Sequence, residues 1–204
     1  MPLLPQLEIK PATILSPGAV LTMSLFGFVL LLPVLVSMMV VSVLKFGLVT
    51  FLLPLATIAA ATFFLPFGFG NPYVAKLVRS LKPDSGGPKQ LYIVQLTRVP
   101  RQRSGLWAIL EDADDIGWLQ LTESSLVFVG DSVRLSVPYE HIGELRQQNA
   151  GWRALFAYGS QMAFSINGLP EAGTFLFAER ASWLLPTSRK LAAQIFQHLR
   201  EKTS

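Results

Sequence analysis

The chain has 204 residues, of which 51% are hydrophobic and 15% charged, with no cysteine and a formal net charge of +4. The lack of cysteine excludes disulfides, thiolate catalysis and Cys-based metal sites. The charge is uneven, because residues 1–72 carry +1, residues 73–103 carry +6 and residues 104–204 carry −3. The basic residues thus follow an apolar third of the chain, which favours a membrane-proximal segment over a nucleic-acid-binding domain.

Two long stretches without charged residues lie on either side of Lys45, at residues 20–44 and 46–65. A stretch of about 18 or more apolar residues is a candidate transmembrane helix, and the short break at Lys45 requires the two helices to run antiparallel. The sequence therefore predicts a two-helix membrane anchor within residues 1–72. A proline near the middle of each stretch is expected to kink its helix, so the hairpin either spans the bilayer or inserts from one face as a wedge.

The basic residues that follow the second stretch predict the orientation, because such residues stay on the cytoplasmic side. We therefore expect an integral membrane protein of the bacterial inner membrane, with both termini in the cytoplasm. Ala56 and Ala60 have the spacing of small residues at helix–helix contacts. They pack either within the hairpin or against another integral membrane protein.

A short amphipathic helix is predicted at residues 73–82, where apolar residues recur at offsets of three, four and seven. Tyr73 opens it, and Lys76, Arg79 and Lys82 form its basic face. We expect these four residues at the membrane interface, where basic side chains contact anionic lipids. The alternative is that they only flank the membrane segment and fix its orientation.

A cluster of Pro, Gly, Ser and Asp at residues 83–88 predicts a linker. It divides the chain into the hairpin region at residues 1–72, a juxtamembrane region at residues 73–89 and a domain at residues 90–204.

In the third region the apolar pattern changes to the period of β-strands, with turn residues between short runs. The predicted strands lie at residues 91–97, 118–122, 126–129, 133–137, 152–158, 162–166 and 174–178, with a further extended segment at 141–146. An amphipathic helix is predicted from near Pro186 to the C-terminus. About seven antiparallel strands and a C-terminal helix predict an α+β barrel or sandwich.

Three segments of this region resemble bacterial pleckstrin-homology-like (PH-like) and GRAM-type domains: residues 117–122 (GWLQLT), 126–128 (LVF) and 137–142 (VPYEHI). The resemblance covers roughly residues 105–202. It implies a PH-like domain, here carried on a membrane anchor. Such domains bind lipids, peptides or partner proteins and are not usually catalysts.

Glu111, Asp112, Asp114 and Asp115 precede the first of these segments, where lipid-binding relatives collect basic residues instead. Carboxylates repel phosphorylated head groups, so the four acidic residues are predicted to bind a partner protein. A calcium site is the weaker alternative, because the residue order of an EF-hand loop is lacking.

No pattern for nucleophilic catalysis, metal ligation or phosphate binding stands out, so the sequence predicts neither an enzyme nor a cofactor. The predicted function is a membrane-anchored adaptor or accessory subunit whose cytoplasmic PH-like domain binds a partner protein. Its partners would be membrane lipids and an integral membrane protein or complex, without nucleic acid. The alternative is a lipid-sensing or membrane-shaping module.

Overall fold

Among the described residues, eight strands form one antiparallel sheet, which two α-helices with defined bounds accompany, and residues 17–22 are also helical. The strands are β1 (Gln6–Ile9), β2 (Gln90–Val99), β3 (Asp115–Leu121), β4 (Ser125–Gly130), β5 (Val133–Pro138), β6 (Arg146–Gln148), β7 (Gln161–Ser165) and β8 (Thr174–Glu179). Their order in the sheet is β1-β5-β4-β3-β2-β8-β7-β6. The helices are α1 (Asn71–Val78) and α2 (Leu185–Thr203), and short 3₁₀ helices lie at Tyr139–His141, Gly151–Leu155 and Pro170–Ala172.

The structure is a computed structural model, and it describes residues 4–14, 16–22, 36, 39, 40, 43, 52, 56, 68, 70–81, 90–100, 112–155 and 157–203.

The main core lies on one face of the sheet, because apolar side chains alternate along the central strands. Leu126 and Phe128 of β4 and Leu135 of β5 point into this core. The C-terminal helix α2 covers it with Ile195 and Leu199, which are fully buried. At about 25 cal/mol per Å² of buried apolar surface, such side chains supply most of the stability of the sheet–helix packing.

The N-terminal strand β1 was not predicted, although Leu7 and Ile9 alternate with Gln6 and Glu8. It pairs with β5, with Gln6 opposite Ser136. The chain that follows β1 is held by Asp131, whose carboxylate accepts hydrogen bonds from Thr13 and Ile14. Residues from the two ends of the sequence therefore build one sheet.

The prediction of a two-helix membrane anchor is wrong. Within the described part of the chain, no helix combines the length and apolarity that crossing a membrane requires. The longest described helix, α2, has 19 residues but includes five charged ones, because only one of its faces packs on the sheet. The transmembrane and membrane assignments, and the localisation in the bacterial inner membrane, are therefore corrected. Most of residues 20–44 and 46–65, including Lys45 and Ala60, lies outside the described residues.

The short helix predicted at residues 73–82 is α1, but its apolar face packs on the sheet rather than on lipid. Val74, Ala75 and Val78 are buried in a second apolar cluster with Ile116 of β3. The indole nitrogen of Trp118 donates a hydrogen bond to the carbonyl of Val78, 3.0 Å away, at the end of the helix. The linker predicted at residues 83–88 lies outside the described residues.

The strand predicted at residues 152–158 is wrong. The backbone at Gly151–Leu155 is a 3₁₀ helix, entered through Gly151 with a φ of +62°. The last sheet partner is instead the polar strand β6, paired with β7. A short apolar run such as residues 152–158 does not distinguish a strand from a buried helical turn.

Candidate functional site

A cleft of about 750 Å³ opens between β1, the end of β2 and the 3₁₀ helix Pro170–Ala172. We call it the β1 cleft. The residues that line it are Pro5, Gln6, Leu7, Ile9, Arg98, Pro100, Leu169, Glu171 and Ala172. Its walls are mainly apolar with a few polar groups, which is the usual composition of a binding site.

One wall of the β1 cleft is the open edge of the sheet. β1 is the first strand in the sheet order, and it pairs only with β5 among the described strands. The amide of Lys10 donates to the carbonyl of Ser132, 2.6 Å away, and these two residues are in register with the β1–β5 pairs. In an antiparallel ladder the bonding direction alternates along each strand. The backbone groups of Leu7 and Ile9 therefore point away from β5, toward the open edge.

The opposite wall carries Arg98, a cation that is only 8% exposed. Its backbone amide donates to the carboxylate of Asp114 at 2.6 Å. Its side-chain Nε has no hydrogen-bond partner among the described residues, and none of the ion pairs between described residues includes it. A buried polar nitrogen without a hydrogen-bond partner is unfavourable, and an anion bound in the β1 cleft would supply the acceptor that Nε lacks among the described residues.

The mouth of the β1 cleft is apolar and carries one acidic group. Ile9 lines the cleft and is 54% exposed, and the apolar residues Pro5 and Leu169 also line it. Glu171 is an exposed residue on the wall formed by the 3₁₀ helix. The cleft thus combines an apolar entrance, a buried cation and an exposed carboxylate.

A separate group of buried polar side chains lies behind β2 and β8, and we call it the polar cluster. Its members are Asn71, Gln95, Asp112, Arg153, Tyr158, Gln161 and Arg180. Arg180 donates through Nε to Asn71 at 2.6 Å and through a terminal nitrogen to Gln95, and its guanidinium lies over the Tyr158 ring. The side-chain amide of Asn71 donates to the carbonyls of Ala157 and Ser182. These contacts fix α1 to the rest of the domain.

The charged and polar side chains of the polar cluster pair with one another. Asp112 accepts hydrogen bonds from Tyr158 at 2.6 Å and from Gln95 at 3.0 Å, and it lies 3.4 Å from Arg153. Burial on its own raises the pKa of Asp112, but Arg153, these hydrogen bonds and Arg180 outweigh it, so the pKa lies below its ordinary value. Burial, together with the Asp112 carboxylate, raises the pKa of Tyr158. Because its members satisfy one another, the polar cluster has the character of a structural element.

The structure describes three of the four acidic residues that were predicted to form one site, and all three are buried. Asp112, Asp114 and Asp115 are buried, at most 8% exposed, and Glu111 lies outside the described residues. Asp115 accepts backbone hydrogen bonds from Ile116 and from three residues of the β4–β5 turn. Burial raises its pKa, although these hydrogen bonds lower it in part. Asp114 and Asp115 thus hold backbone in place, whereas Asp112 contacts side chains of the polar cluster, and the binding of a partner protein by these residues stays a prediction.

The predicted membrane-interface residues do not lie beside the β1 cleft. Tyr73 is half-buried against the second apolar cluster, and Lys76 and Arg79 are exposed on α1. Lys82 lies outside the described residues. The described residues contain no group of three or more His, Asp or Glu side chains placed to hold a metal ion.

The sequence did not single out Leu7, Ile9 or Arg98 as functional residues. The alternation in Gln6–Ile9, between Pro5 and Pro11, was a signal for a short strand. Arg98 was counted only among the basic residues at positions 73–103 that follow the apolar stretches. Its position within an apolar run that became β2 was the sign of burial.

No protein-family model matches this chain, and no curated protein matches it either.

Proposed function

We propose that this domain is a protein-binding module that acts as an adaptor or accessory subunit, without catalysis of its own. The observation that carries the proposal is the open edge of β1 beside an apolar cleft. An exposed strand edge binds another chain by adding a strand, and nearby pockets then select side chains. The resemblance to PH-like domains supports the same function, since those domains bind peptides or partner proteins.

The lipid-sensing alternative finds no support in the β1 cleft. Its mouth is apolar and its exposed charge is the carboxylate of Glu171, which repels phosphorylated head groups. The polar cluster favours no enzymatic role, since its side chains are engaged with one another away from the cleft.

The experiment is affinity purification of the full chain, carrying a C-terminal tag, from its native cell. The decisive variant is Ile9→Pro. Proline removes the Ile9 amide that points to the open edge, while the hydrogen bonds to β5 come from the neighbouring residues. We expect a stoichiometric companion protein with the wild type and at least a tenfold lower yield of it with Ile9→Pro.

The matched control is Glu8→Gln, on the adjacent residue of β1. The Glu8 carboxylate forms an exposed ion pair with Lys10 at 3.0 Å, which contributes little to stability. This variant is expected to retain the companion at the wild-type level. Equal yields from all three proteins, with unchanged thermal unfolding, would show that no partner binds at the open edge.

A further inference from the structure

We propose that the β1 cleft binds an extended peptide segment that presents a carboxylate to Arg98. This inference rests on the proposed function and specifies the chemistry of the partner. Two features of the site supply the two halves of the recognition: the backbone of β1 and the guanidinium across the cleft.

The backbone half comes from Leu7 and Ile9, which are two residues apart and point the same way. Each offers one N–H and one C=O at the open edge, so an added strand makes hydrogen bonds at every second residue. The side chains of a strand alternate between two faces, so every other side chain of the peptide faces the cleft. The apolar side chains of Leu7, Ile9 and Leu169, which line the cleft, favour apolar side chains there.

The charged half comes from Arg98. A guanidinium binds a carboxylate through two parallel hydrogen bonds, which gives both geometry and strength. Arg98 is already largely withdrawn from water, so a carboxylate that reaches it gains a strong partner at little further desolvation of the arginine. Both an Asp or Glu side chain and a C-terminal carboxylate have this chemistry.

Glu171 adds a selection against excess negative charge. Its carboxylate is on the wall of the same cleft and disfavours a peptide with acidic residues beside the one that reaches Arg98. The favoured segment therefore carries one carboxylate among apolar residues, with a neutral or basic residue toward Glu171. Removal of this charge is expected to strengthen the binding of a singly charged peptide.

The experiment selects ligands for the full chain from two displayed libraries of random heptapeptides. One library has free C-termini and the other has its peptides embedded in a carrier. Enrichment of Asp or Glu in both libraries identifies the ligand as a side-chain carboxylate, whereas enrichment only at free ends identifies a C-terminal one. Selected peptides without any carboxylate would overturn the proposal.

A double-mutant cycle then measures the contact. The selected peptide and its uncharged counterpart (Glu replaced by Gln, or an amidated C-terminus) are titrated against wild type and Arg98→Gln by fluorescence anisotropy. We expect loss of the peptide carboxylate to weaken binding to wild type about tenfold or more. The same loss is expected to weaken binding to Arg98→Gln less than twofold. An equal loss on both proteins would overturn the proposal.

Two further variants guard this result. Arg98→Lys keeps the positive charge but cannot form the two parallel hydrogen bonds of a guanidinium. It is therefore expected to fold even if Arg98→Gln does not, and to bind the peptide with an affinity between those of wild type and Arg98→Gln. Glu171→Gln is expected to strengthen binding about two- to threefold; weaker binding would contradict the role given to Glu171. If the native companion depends on Ile9 but not on Arg98, the carboxylate inference fails and the protein-binding function stands.

Discussion

Tyr158 lies inside the polar cluster, where its hydroxyl donates to Asp112 and accepts from Gln161. Its pKa is raised above the ordinary value of about 10, first by burial and then by the adjacent carboxylate. The folded state therefore keeps the phenol proton at pH values where the unfolded chain loses it. By linkage, this contribution to stability is complete below pH 10 and is lost as the pH rises above it.

We predict that Tyr158→Phe is less stable than wild type at neutral pH by about 1–3 kcal/mol, because Asp112 and Gln161 each lose a hydrogen-bond partner. Above pH 10 the difference is expected to shrink by up to about 1.4 kcal/mol per pH unit, because phenylalanine has no proton to keep. Urea denaturation between pH 7 and pH 11 measures both effects.

Asn71→Ala is the matched control for this series, since it removes an equally buried contact of the polar cluster without a titrating group. Its difference from wild type is expected to stay constant above pH 10. Burial also raises the pKa of Tyr139, to about 12. Because Tyr139 is present in all three proteins, its contribution to the pH dependence of the free energy of unfolding cancels in the differences. Parallel curves for wild type and Tyr158→Phe would contradict the prediction.

The strands β3 and β4 approach closely where Gly117 faces Gly130. A Cβ atom on Gly117 would clash with the carbonyl oxygen of Val129 and with the Cα of Gly130, both backbone atoms that cannot turn aside. We predict that Gly117→Ala destabilises the domain by about 1–3 kcal/mol, as overpacking does. Chemical denaturation followed by tryptophan fluorescence measures the change.

Gly18→Ala is the control for that substitution. Gly18 is helical, and the nearest atom to an added Cβ is the Ser16 hydroxyl at 3.9 Å. Alanine favours a helix over glycine by up to about 1 kcal/mol, so this variant is expected to be as stable as wild type or slightly more so. Equal effects at both positions would show that the contact between the strands is not close.

Predictions at the element scale succeeded where the pattern of the sequence reports burial directly. Strands with alternating apolar residues, such as β4 and β5, and the amphipathic helix α2 lie where they were predicted. The polar strand β6 has no such alternation, because only one edge of it is paired and none of its residues is buried. The apolar stretches before α1 gave a strong membrane signal, yet apolarity alone does not identify what covers a helix.

The candidate site could not be predicted from the sequence for a different reason. Leu7 and Arg98 are about ninety positions apart, and three strands separate β1 from β2 in the sheet, yet both residues line the β1 cleft. The acidic run was visible, but its burial was not, because the hydrogen bonds of Asp115 come from the β4–β5 turn. A run of charged residues does not predict an exposed surface where the fold supplies buried hydrogen-bond partners for those residues.

At the scale of the whole molecule, the N-terminal segment belongs to the sheet through Asp131. Its carboxylate accepts from the amide and hydroxyl of Thr13 and from the amide of Ile14, at 2.5–2.7 Å. Hydrogen bonds to a charged group contribute about 1.5–3 kcal/mol each. The position of β1, and with it the open edge, therefore depends on a turn that lies far along the chain.

We predict that Asp131→Ala raises the exchange rate of the β1 amides at least tenfold, while the amides of β2 and β8 keep their protection. Hydrogen exchange followed by mass spectrometry distinguishes these peptides. Asp131→Asn retains one acceptor oxygen and is expected to give an intermediate rate. Unchanged exchange of β1 in both variants would show that the β1–β5 ladder alone holds the strand.

The second apolar cluster contains Val20 as well as Val74 and Val78. Val20 and α1 therefore lie in one apolar cluster, so both ends of the intervening segment are fixed on one body. Because the entropy of closing a loop grows only with the logarithm of its length, this arrangement tolerates wide changes in the length of the segment.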